Sequence, residues 1–560
     1  MPNGLKRPPH KFPASDGRCR SLRSAILFLV IAFMTASLAS AHGLIGAAWQ
    51  YSVRLKPAKY RRAYLWIPPD CRRIRGVVLG MQNMLERPLM LDPIIRQACR
   101  QEDLAEIWIS PGESTTGPQA PDMQFKHPAE DFAALEKIFV RLARVSGYPE
   151  IKYAPLLVVA HSAAAPFVWG MATDYPNRVF AAMMYKGYYL DQPLGVPFLD
   201  VTAEWSEWGK HWGGGTLKFG QRSLAAMRNG HPNCLVGEFN DVGTGHFDFD
   251  HASAPILAMF IRQVARMRLP RSEPLNGPVR LRSINPHSGW LVKPRTLGNA
   301  DYTGAPAVDW KGDPTKAYWY PSRKLADTIN RYMRAGYAKK PQAIDFTSGG
   351  KPCSLAANGF AIISPHYLPD GATFRVHAVW LKHSPSRYLF RGAGPLGHAP
   401  SPILFRDIPS GGIKQVGRNE FRVALHAGGF KRLGQPWEPW ILAYNRGTAV
   451  YRRTDRPAHI VVPLVNTRGL RQKITFAPIA YHRRQHWLTV HASSSARLPV
   501  QFYVVSGPVL LHGNRLTFTR IPTASRFPIR VIIGAYQWGR AAAPLVQSAG
   551  PVFRQFWITR

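Results

Sequence analysis

One serine of this chain, Ser162, stands between an apolar run and a segment with helical character. The run at 156–159 is Leu-Leu-Val-Val, a pattern typical of a strand covered on both faces. Ala160 and Ala164 flank the serine where a larger side chain would clash, and they replace the two usual glycines. The pattern predicts a nucleophile elbow, with Oγ exposed at a helix N-terminus. The alternative interpretation is an ordinary helix for which Ser162 is the N-cap.

A histidine suited to activate this serine follows in the expected chain order. His246 lies in Gly-Thr-Gly-His-Phe, between a predicted strand at 234–239 and a predicted helix at 254–267. Its preceding glycines allow the loop to bend back over the sheet toward Ser162. His251 is the competing residue, but it fits the start of the helix better. The order therefore predicts that His246 is the general base.

A carboxylate is also needed, to accept the imidazole Nδ1–H and stabilise the imidazolium. Glu204 and Glu207 both follow a predicted strand at 196–202. Glu207 is favoured because it lies further into the loop and has more freedom to bend toward the histidine. Glu204 is the alternative, and the pleat of the strand sets the direction of its side chain. Asp200 is a poor candidate because it falls inside the strand.

Two backbone N–H groups should stabilise the oxyanion of the tetrahedral intermediate. Ala163, directly after the serine, supplies the first. The second is expected from the loop that follows a predicted strand at 75–79, where Met81 fits best and Gln82 is next. An ordinary turn is the other interpretation of this loop. The cysteine spacing predicts no metal site.

Strands and helices alternate before residue 270, which predicts a doubly wound, mostly parallel α/β sheet. The predicted strands are residues 75–79, 104–110, 156–159, 179–186, 196–202 and 234–239. The main predicted helices are residues 128–146, 167–172 and 254–267.

Short segments of alternating polarity replace this pattern in the second half and predict antiparallel β-sandwich domains. The main examples are residues 374–381, 420–425, 460–465, 500–505, 516–519 and 529–535. The predicted divisions are 1–41, 42–269 with the site, 270–340 as a connection with a helix at 322–335, 341–470 and 471–560. A chain ending near Arg268 is therefore expected to keep a reactive serine.

The first half resembles the α/β-hydrolase superfamily, in particular secreted esterases and dienelactone-hydrolase-like enzymes. The resemblance rests on Ala-His-Ser-Ala-Ala around Ser162, on Glu204 and Glu207, and on Gly-Thr-Gly-His-Phe around His246. It implies acyl transfer through a seryl ester without a cofactor, and it names no substrate.

The C-terminal 90 residues resemble an immunoglobulin-like repeat of bacterial secreted proteins. The similar stretches are Val-Ser-Gly-Pro at 505–508, Gly-Asn at 513–514 and Phe-Trp-Ile at 556–558. Such repeats space domains or bind glycans. Five tryptophans are candidates for sugar stacking or, more commonly, for the sandwich core. They are Trp380, Trp437, Trp440, Trp487 and Trp538.

The N-terminus has the composition of a secretory signal peptide. A basic segment precedes an apolar core at 25–34, and Ala-Ser-Ala at 39–41 fits a cleavage site. Cleavage would leave an exported, periplasmic or extracellular protein without a membrane span; the alternative is an uncleaved anchor. Because of this signal, the net charge of +39 indicates anionic envelope surfaces or acidic polysaccharide as partners, not nucleic acid. Export also permits disulfides, and Cys71–Cys99 is the expected pair.

Three functions agree with these features. The first is a secreted serine carboxylesterase with β-rich accessory domains. Its expected substrates are carboxylic esters, and carbohydrate-linked esters are among them. The second is a surface adhesion or carbohydrate-binding protein whose hydrolase-like half is a non-catalytic scaffold. The third is a serine peptidase. The intact order of serine, acid and histidine favours the first.

Overall fold

A computed structural model describes sixteen segments of the chain. They are residues 46–55, 62–110, 128–187, 194–204, 225–229, 231, 233–249, 251–271, 276–294, 302–353, 360–383, 395–408, 412–424, 439–463, 465–481 and 486–560. The predicted signal peptide, Glu207 and Trp437 lie outside these segments.

An eight-stranded mixed sheet forms the first half, in the order β1-β2-β4-β3-β5-β6-β7-β8. The strands are β1 Tyr51–Arg54, β2 Arg62–Trp66, β3 Gly76–Met81, β4 Leu104–Ser110, β5 Leu156–His161, β6 Val179–Tyr185, β7 Phe198–Ala203 and β8 Val236–Asp241. All neighbouring pairs from β4 to β8 are parallel, and β2 runs antiparallel to both of its neighbours, β1 and β4. The prediction of a mostly parallel α/β sheet is confirmed, whereas the antiparallel edge was not predicted.

Helices complete this half of the molecule. They are α1 Glu86–Met90, α2 Pro93–Gln101, α3 Pro128–Ser146, α4 Ala165–Asp174 and α5 Ala254–Arg268. Helix α2 packs against α5, and α3 packs against α4. The connection from β3 leads to β4 on one side, while the connection from β5 leads to β6 on the other. Strands β3 and β5 therefore border the point where the strand order reverses, the usual ligand position in open α/β sheets.

The sequence explains why the central strands lie where they do. Every residue of β3, β4, β5 and β6 is buried, as expected for apolar strands with helices on both faces. Each buried Leu or Val there contributes about 1.5–3 kcal/mol relative to exposure. The Asp92 carboxylate accepts hydrogen bonds from the N–H groups of Ile94 and Ile95, which fixes the start of α2.

In its described segments, the second half contains small sheets and one long helix, α6 Arg323–Tyr337. Its strands are β9 Trp290–Val292, β10 Gly304–Pro306, β11 Tyr318–Tyr320, β12 Ile344–Ser348, β13 Lys351–Pro352, β14 Ala361–Ile363, β15 Thr373–Arg375, β16 Ala378–Trp380, β17 Leu404–Asp407, β18 Ile413–Gln415, β19 Glu420–Val423, β20 Trp440–Asn445, β21 Thr454–Ile460, β22 Ile474–Phe476, β23 Trp487–Thr489, β24 Ala492–Ser494, β25 Gln501–Ser506, β26 Val509–His512, β27 Arg515–Phe518, β28 Ile529–Gln537 and β29 Ala549–Ile558. Almost all pairs are antiparallel, which fits β-sandwich-like domains; the immunoglobulin-like assignment stays a prediction.

Two strand predictions in this half were wrong. The segment at 374–381 divides between β15 and β16, and the segment predicted at 460–465 is replaced by β21, which ends at Ile460. Strand β21 reads Thr-Asp-Arg-Pro-Ala-His-Ile, so its polar residues and its proline conceal it from an apolar pattern. The predicted tryptophans also differ among themselves. Trp440 and Trp538 are buried, Trp380 stacks on a histidine, and Trp487 is 50% exposed.

Contacts connect the two halves across the predicted boundary near residue 270. The hydroxyl of Tyr320 on β11 donates to the carbonyl of Glu238 on β8 at 2.6 Å. At the other end of the sheet, the hydroxyls of Ser52 on β1 and Ser506 on β25 lie 2.8 Å apart. Within the described segments, the central sheet nevertheless contains no strand from beyond residue 340.

The cysteine prediction was wrong. Cys71, Cys99, Cys234 and Cys353 all carry free thiols. Cys99 lies on α2, and its Sγ contacts the carboxylate of Glu106 on β4 at 3.7 Å. None of the helices that the structure describes is long and apolar enough to cross a membrane.

Candidate active site

A strained turn places Ser162 at the end of β5. The strand ends at His161, a short 3-10 turn covers Ser162–Ala164, and α4 begins at Ala165. Ser162 has φ of +52°, a left-handed value that side chains other than glycine rarely adopt. Ala160 and Ala164 are both buried, as expected for the small residues on either side of such a turn. The geometry is that of a nucleophile elbow.

The structure brings Ser162 and His246 together. The serine Oγ lies 2.7 Å from the imidazole Nε2, although the two residues are 84 positions apart. His246 is only 5% exposed. Burial, followed by the positive charge of His161 when protonated and that of Lys186, holds the pKa of His246 well below its usual value. The imidazole is therefore neutral and able to accept the serine proton.

The two candidate acids have different outcomes. Glu204 follows β7 and is buried, but one of its oxygens accepts the N–H of Gly243 at 2.7 Å and the other pairs with Arg452 at 3.0 Å. Its carboxylate thus binds the backbone of the histidine's own loop. Glu207 lies outside the described residues, and its role as the acid stays a prediction.

The predicted oxyanion donors lie on opposite sides of the junction between β3 and β5. Ala163 follows the serine in the turn, and Met81 is the last residue of β3. The N–H of Gln82 already donates to the carbonyl of Ile109 at 2.9 Å, and Met81 itself is a paired residue of strand β3.

Glu86 is a site residue that the sequence analysis missed. Its two carboxylate oxygens accept the N–H of His161 at 2.7 Å and the N–H of Asn83 at 2.8 Å. It therefore connects the elbow to the turn that directly follows Met81 and strand β3. Burial raises the pKa of Glu86 to about 8. The Asn-x-x-Glu spacing from Asn83 to Glu86 is that of a capping box and could have indicated the contact.

His161 joins three parts of the site. Its Nε2 donates to the carbonyl of His246 at 3.0 Å, and its Nδ1 accepts from the Asn83 amide, 3.3 Å away. The two partners require one neutral tautomer. Burial lowers the pKa of His161 to about 3, against the small opposing effect of the hydrogen bond to His246.

A second missed group holds the loop at 241–249, which carries His246 and is called the histidine loop below. Lys186, directly after β6, is buried and donates to the carbonyl of Gly245 at 2.9 Å. From the second half of the chain, Arg453 donates to the carbonyl of Val242 at 2.8 Å, and Asp455 accepts the N–H of Gly245 at 3.0 Å. A lysine directly after an apolar strand is a signal for the first contact; no local pattern signals the other two.

Within the described segments, no cluster of three or more His, Cys, Asp or Glu side chains could hold a metal ion. The reactive groups that the structure does bring together are a serine hydroxyl, a neutral imidazole and backbone amides. This set suits acyl transfer by a covalent route.

No protein family matches this sequence, and no curated protein matches it. Among solved structures, the chain is similar to the esterase PE8, with 10% identity, 39% of this chain and 98% of that chain covered, and a TM-score of 0.26. It is also similar to an S-formylglutathione hydrolase from Agrobacterium tumefaciens, with 12% identity, 39% and 93% covered, and a TM-score of 0.26. A dienelactone hydrolase from Anabaena variabilis has 12% identity, 40% and 98% covered, and a TM-score of 0.27. At these identities and TM-scores the likeness alone identifies neither a family nor an activity.

Proposed function

We propose that this protein is an exported serine hydrolase that cleaves carboxylic esters, carbohydrate-linked esters included, through an acyl-enzyme on Ser162. The observation that carries the proposal is the 2.7 Å contact between the Oγ of Ser162, on a turn with φ of +52°, and the Nε2 of neutral His246. A serine on an ordinary helix cap has no need of this strained conformation or of a buried imidazole within reach.

Acylation follows from these two groups. His246 Nε2 accepts the proton of Ser162 Oγ while Oγ bonds to the ester carbonyl carbon, and the negative charge collects on the carbonyl oxygen. The N–H groups of Ala163 and Met81 are the proposed donors to this oxyanion. As the intermediate collapses, the bond to the alcohol oxygen breaks and His246 returns its proton to that oxygen.

Deacylation repeats the sequence with water. His246 takes one proton from a water molecule while the water oxygen attacks the acyl carbon. As the intermediate collapses, the bond from the acyl carbon to Oγ breaks and His246 gives that proton to Oγ. A carboxylate must stabilise the imidazolium in both steps, because burial strongly disfavours its charge. Glu207 is the proposed acid, since Glu204 binds Gly243 and Arg452.

The test is covalent labelling of the full chain with a fluorophosphonate probe, together with hydrolysis of p-nitrophenyl acetate and butyrate. We expect one labelled peptide, containing Ser162. The Ser162→Ala variant should fold normally, lose the label and lose roughly 10⁴-fold or more in kcat. Ser288→Ala, at an exposed serine of a distant turn, is the matched control and should keep both.

Unchanged turnover in Ser162→Ala would exclude this serine as the nucleophile. An unlabelled and inactive wild-type protein would favour the non-catalytic scaffold, and cleavage of peptides in preference to esters would favour a peptidase. Export is tested separately by N-terminal sequencing of the protein recovered from its native compartment. A start at His42 supports signal cleavage, and a start at Met1 contradicts it.

A second candidate function has one observation in its favour. Trp487 and Trp557 in the C-terminal domain are 50% and 47% exposed, and the guanidinium of Arg515 lies 4.4 Å from the Trp487 ring centroid. Exposed aromatic rings beside cations suit acidic or neutral sugars. We therefore propose polysaccharide binding as an accessory role of this domain. Binding to immobilised polysaccharide should weaken in Trp487→Ala, and equal retention of both proteins would exclude it.

A further inference from the structure

Charged side chains from both halves of the chain surround the histidine loop; most are buried, while Arg406 and Arg453 are partly exposed. Among the described residues, four of these side chains are basic and four are acidic. The basic ones are Lys186, Arg406, Arg452 and Arg453, and the acidic ones are Glu204, Asp241, Asp248 and Asp455. Three of the four cations and one of the carboxylates belong to the second half. Charges are removed from water at high cost, so a set of paired charges around one loop indicates a specific architectural role.

The contacts of this set reach the loop backbone directly. Arg453 donates through Nε to the carbonyl of Val242 at 2.8 Å and through Nη2 to Asp241 at 2.7 Å. Gly243 has φ of +82°, and a Cβ added there would lie 2.4 Å from the Cγ of Arg453. The side-chain stem of Arg453 therefore packs directly against Gly243. Only glycine fits this position, because of its positive φ and because of the arginine beside it.

Asp455 holds the residue next to the catalytic histidine. Both its carboxylate oxygens accept the N–H of Gly245, at 3.0 and 3.2 Å, and its carboxyl also hydrogen-bonds to that of Asp248. Burial and the negative charge of Asp248 raise the pKa of Asp455 well above its usual value. For Asp248, Arg406 and Lys186 outweigh the effect of burial, and its pKa is lowered. The pair thus shares one proton, with Asp455 neutral.

Aromatic residues of the second half also contact the histidine loop. The ring of Phe247 stacks on that of Trp440, the first residue of β20, with centroids 4.3 Å apart and planes inclined at 24°. Phe360 meets the same tryptophan edge-on at 4.7 Å. Both neighbours of His246 in the sequence, Gly245 and Phe247, are therefore held by residues of the second half.

Resting on the proposed function, we propose that Asp455 and Arg453 are positioning residues that keep His246 Nε2 within hydrogen-bond distance of Ser162. By this proposal the β-rich half is a working part of the hydrolase site. Asp455 acts as a neutral hydrogen-bonding group: it accepts from Gly245 and donates to Asp248. It does not touch the reacting atoms.

If Asp455 acts as a neutral hydrogen-bonding group, two variants of the full chain, Asp455→Asn and Asp455→Ala, should differ clearly in kcat. In Asp455→Asn the amide oxygen can accept from Gly245 and the amide N–H can donate to Asp248, so kcat should stay within about threefold of wild type. In Asp455→Ala both bonds are lost, and kcat for p-nitrophenyl acetate should fall about 10- to 100-fold, with KM changed less than threefold. Arg453→Met keeps the stem on Gly243 but loses both donors, and should reduce kcat about tenfold.

A buried pair that does not contact the loop provides the control for stability. Asp345 on β12 accepts from Arg456 at 3.1 Å inside the second half. Asp345→Asn should lower the melting temperature while kcat stays within twofold. Equal loss of kcat in Asp345→Asn and Asp455→Ala would overturn the proposal, because simple destabilisation of the β-rich half would explain both. A loss in Asp455→Asn equal to that in Asp455→Ala would also overturn it, since the neutral group would not suffice.

Hydrogen exchange separates this proposal from the assignment of the nucleophile. The peptide covering the histidine loop should exchange faster in Asp455→Ala, and at the wild-type rate in Asp455→Asn, whether or not the protein hydrolyses esters. If this exchange pattern holds but Ser162 never reacts with the probe, the proposed function fails and the positioning contact stands. If Ser162 reacts and Asp455→Ala keeps both loop protection and kcat, the positioning proposal fails. Should Asp455→Ala not fold, Arg453→Met provides the same comparison.

Discussion

The two sides of the Ser162–His246 contact are positioned in different ways. Ser162 depends on neighbours within 80 residues: the strand before it, the helix after it, and the Glu86 carboxylate at the N–H of His161. His246 is held largely by groups far along the chain, including Asp455, 210 positions from Gly245. The nucleophile is thus a local product of one strand–turn–helix unit, while the base depends on the packing of two halves.

This difference predicts how each side responds to change. Substitutions near the elbow should alter the chemistry without disturbing the second half. Substitutions around the histidine loop should couple activity to the docking of the β-rich half. The three predictions that follow test this contrast from the largest effect to the smallest.

The largest effect is expected from the two glutamates. Glu207→Gln should reduce kcat by roughly 10⁴, as other triad acids do when replaced by an amide. Glu204→Gln should cost only about tenfold in kcat. It should instead destabilise the fold by about 3 kcal/mol, because Arg452 then lacks its buried carboxylate partner. Ester kinetics and chemical denaturation of both variants decide the matter; a 10⁴-fold loss in Glu204→Gln with none in Glu207→Gln would reverse the assignment.

The second effect is a loss of stability at acidic pH. The pKa of His161 is lowered from 6.5 to about 3, so its contribution to stability is present above pH 6.5 and is lost as the pH falls toward 3. The whole contribution is about 5 kcal/mol, and each pH unit below 6.5 removes about 1.4 kcal/mol. Buried Glu86, with a pKa of about 8, titrates in the opposite sense.

The measurement is therefore the difference in unfolding free energy between wild type and His161→Gln. It should shrink by about 1.4 kcal/mol per pH unit between pH 6 and pH 4. His161 lies on the elbow side of the site. The control is therefore His251→Gln, at an exposed histidine that pairs with Asp92. A difference that does not vary with pH would mean that His161 accepts a proton in the folded state.

The smallest effect is expected at Glu86. Glu86→Gln keeps one acceptor but turns an amide donor toward an N–H group, so one of the two bonds to Asn83 and His161 is lost. We expect kcat to fall about 10- to 100-fold, because the turn after Met81, a proposed oxyanion donor, loses a hydrogen bond. The hydrogen exchange of the histidine loop should change little. Glu102→Gln, a buried carboxylate that pairs with Arg266 away from the site, should keep full activity. Faster exchange at 241–249 in Glu86→Gln would show that the two sides are not separate.

The same contrast revises one expectation from the sequence. A chain ending near Arg268 retains the elbow and Glu86, but it lacks Arg453, Asp455 and Trp440. By the proposal above, the histidine loop of such a chain loses its main restraints. A reactive serine with its base in place is then expected only of the full chain.

The sequence by itself determined the elements whose signals are local. The apolar strand is indicated by a run of a few residues, and the small residues around Ser162 and the order of serine and histidine are visible directly in the sequence. Strand β4 and helix α3 even occur at the predicted residues, because a strand buried on both faces gives an almost continuous apolar run and a helix buried on one face gives a period of about 3.6 residues. The parallel sheet followed from the alternation of these elements.

Only the tertiary structure decided which charges meet. Glu204, predicted as a possible acid, binds Gly243 and Arg452, and the cysteines predicted to pair remain free because Cys99 packs against Glu106 instead. Strand β21 was concealed because its polar residues have buried partners: Asp455 accepts from Gly245 in the first half, and Arg456 pairs with Asp345 in the second half. Hydrogen bonds between residues 200 positions apart leave no periodic trace in the sequence, since each charge looks like a solvated one until the fold supplies its partner.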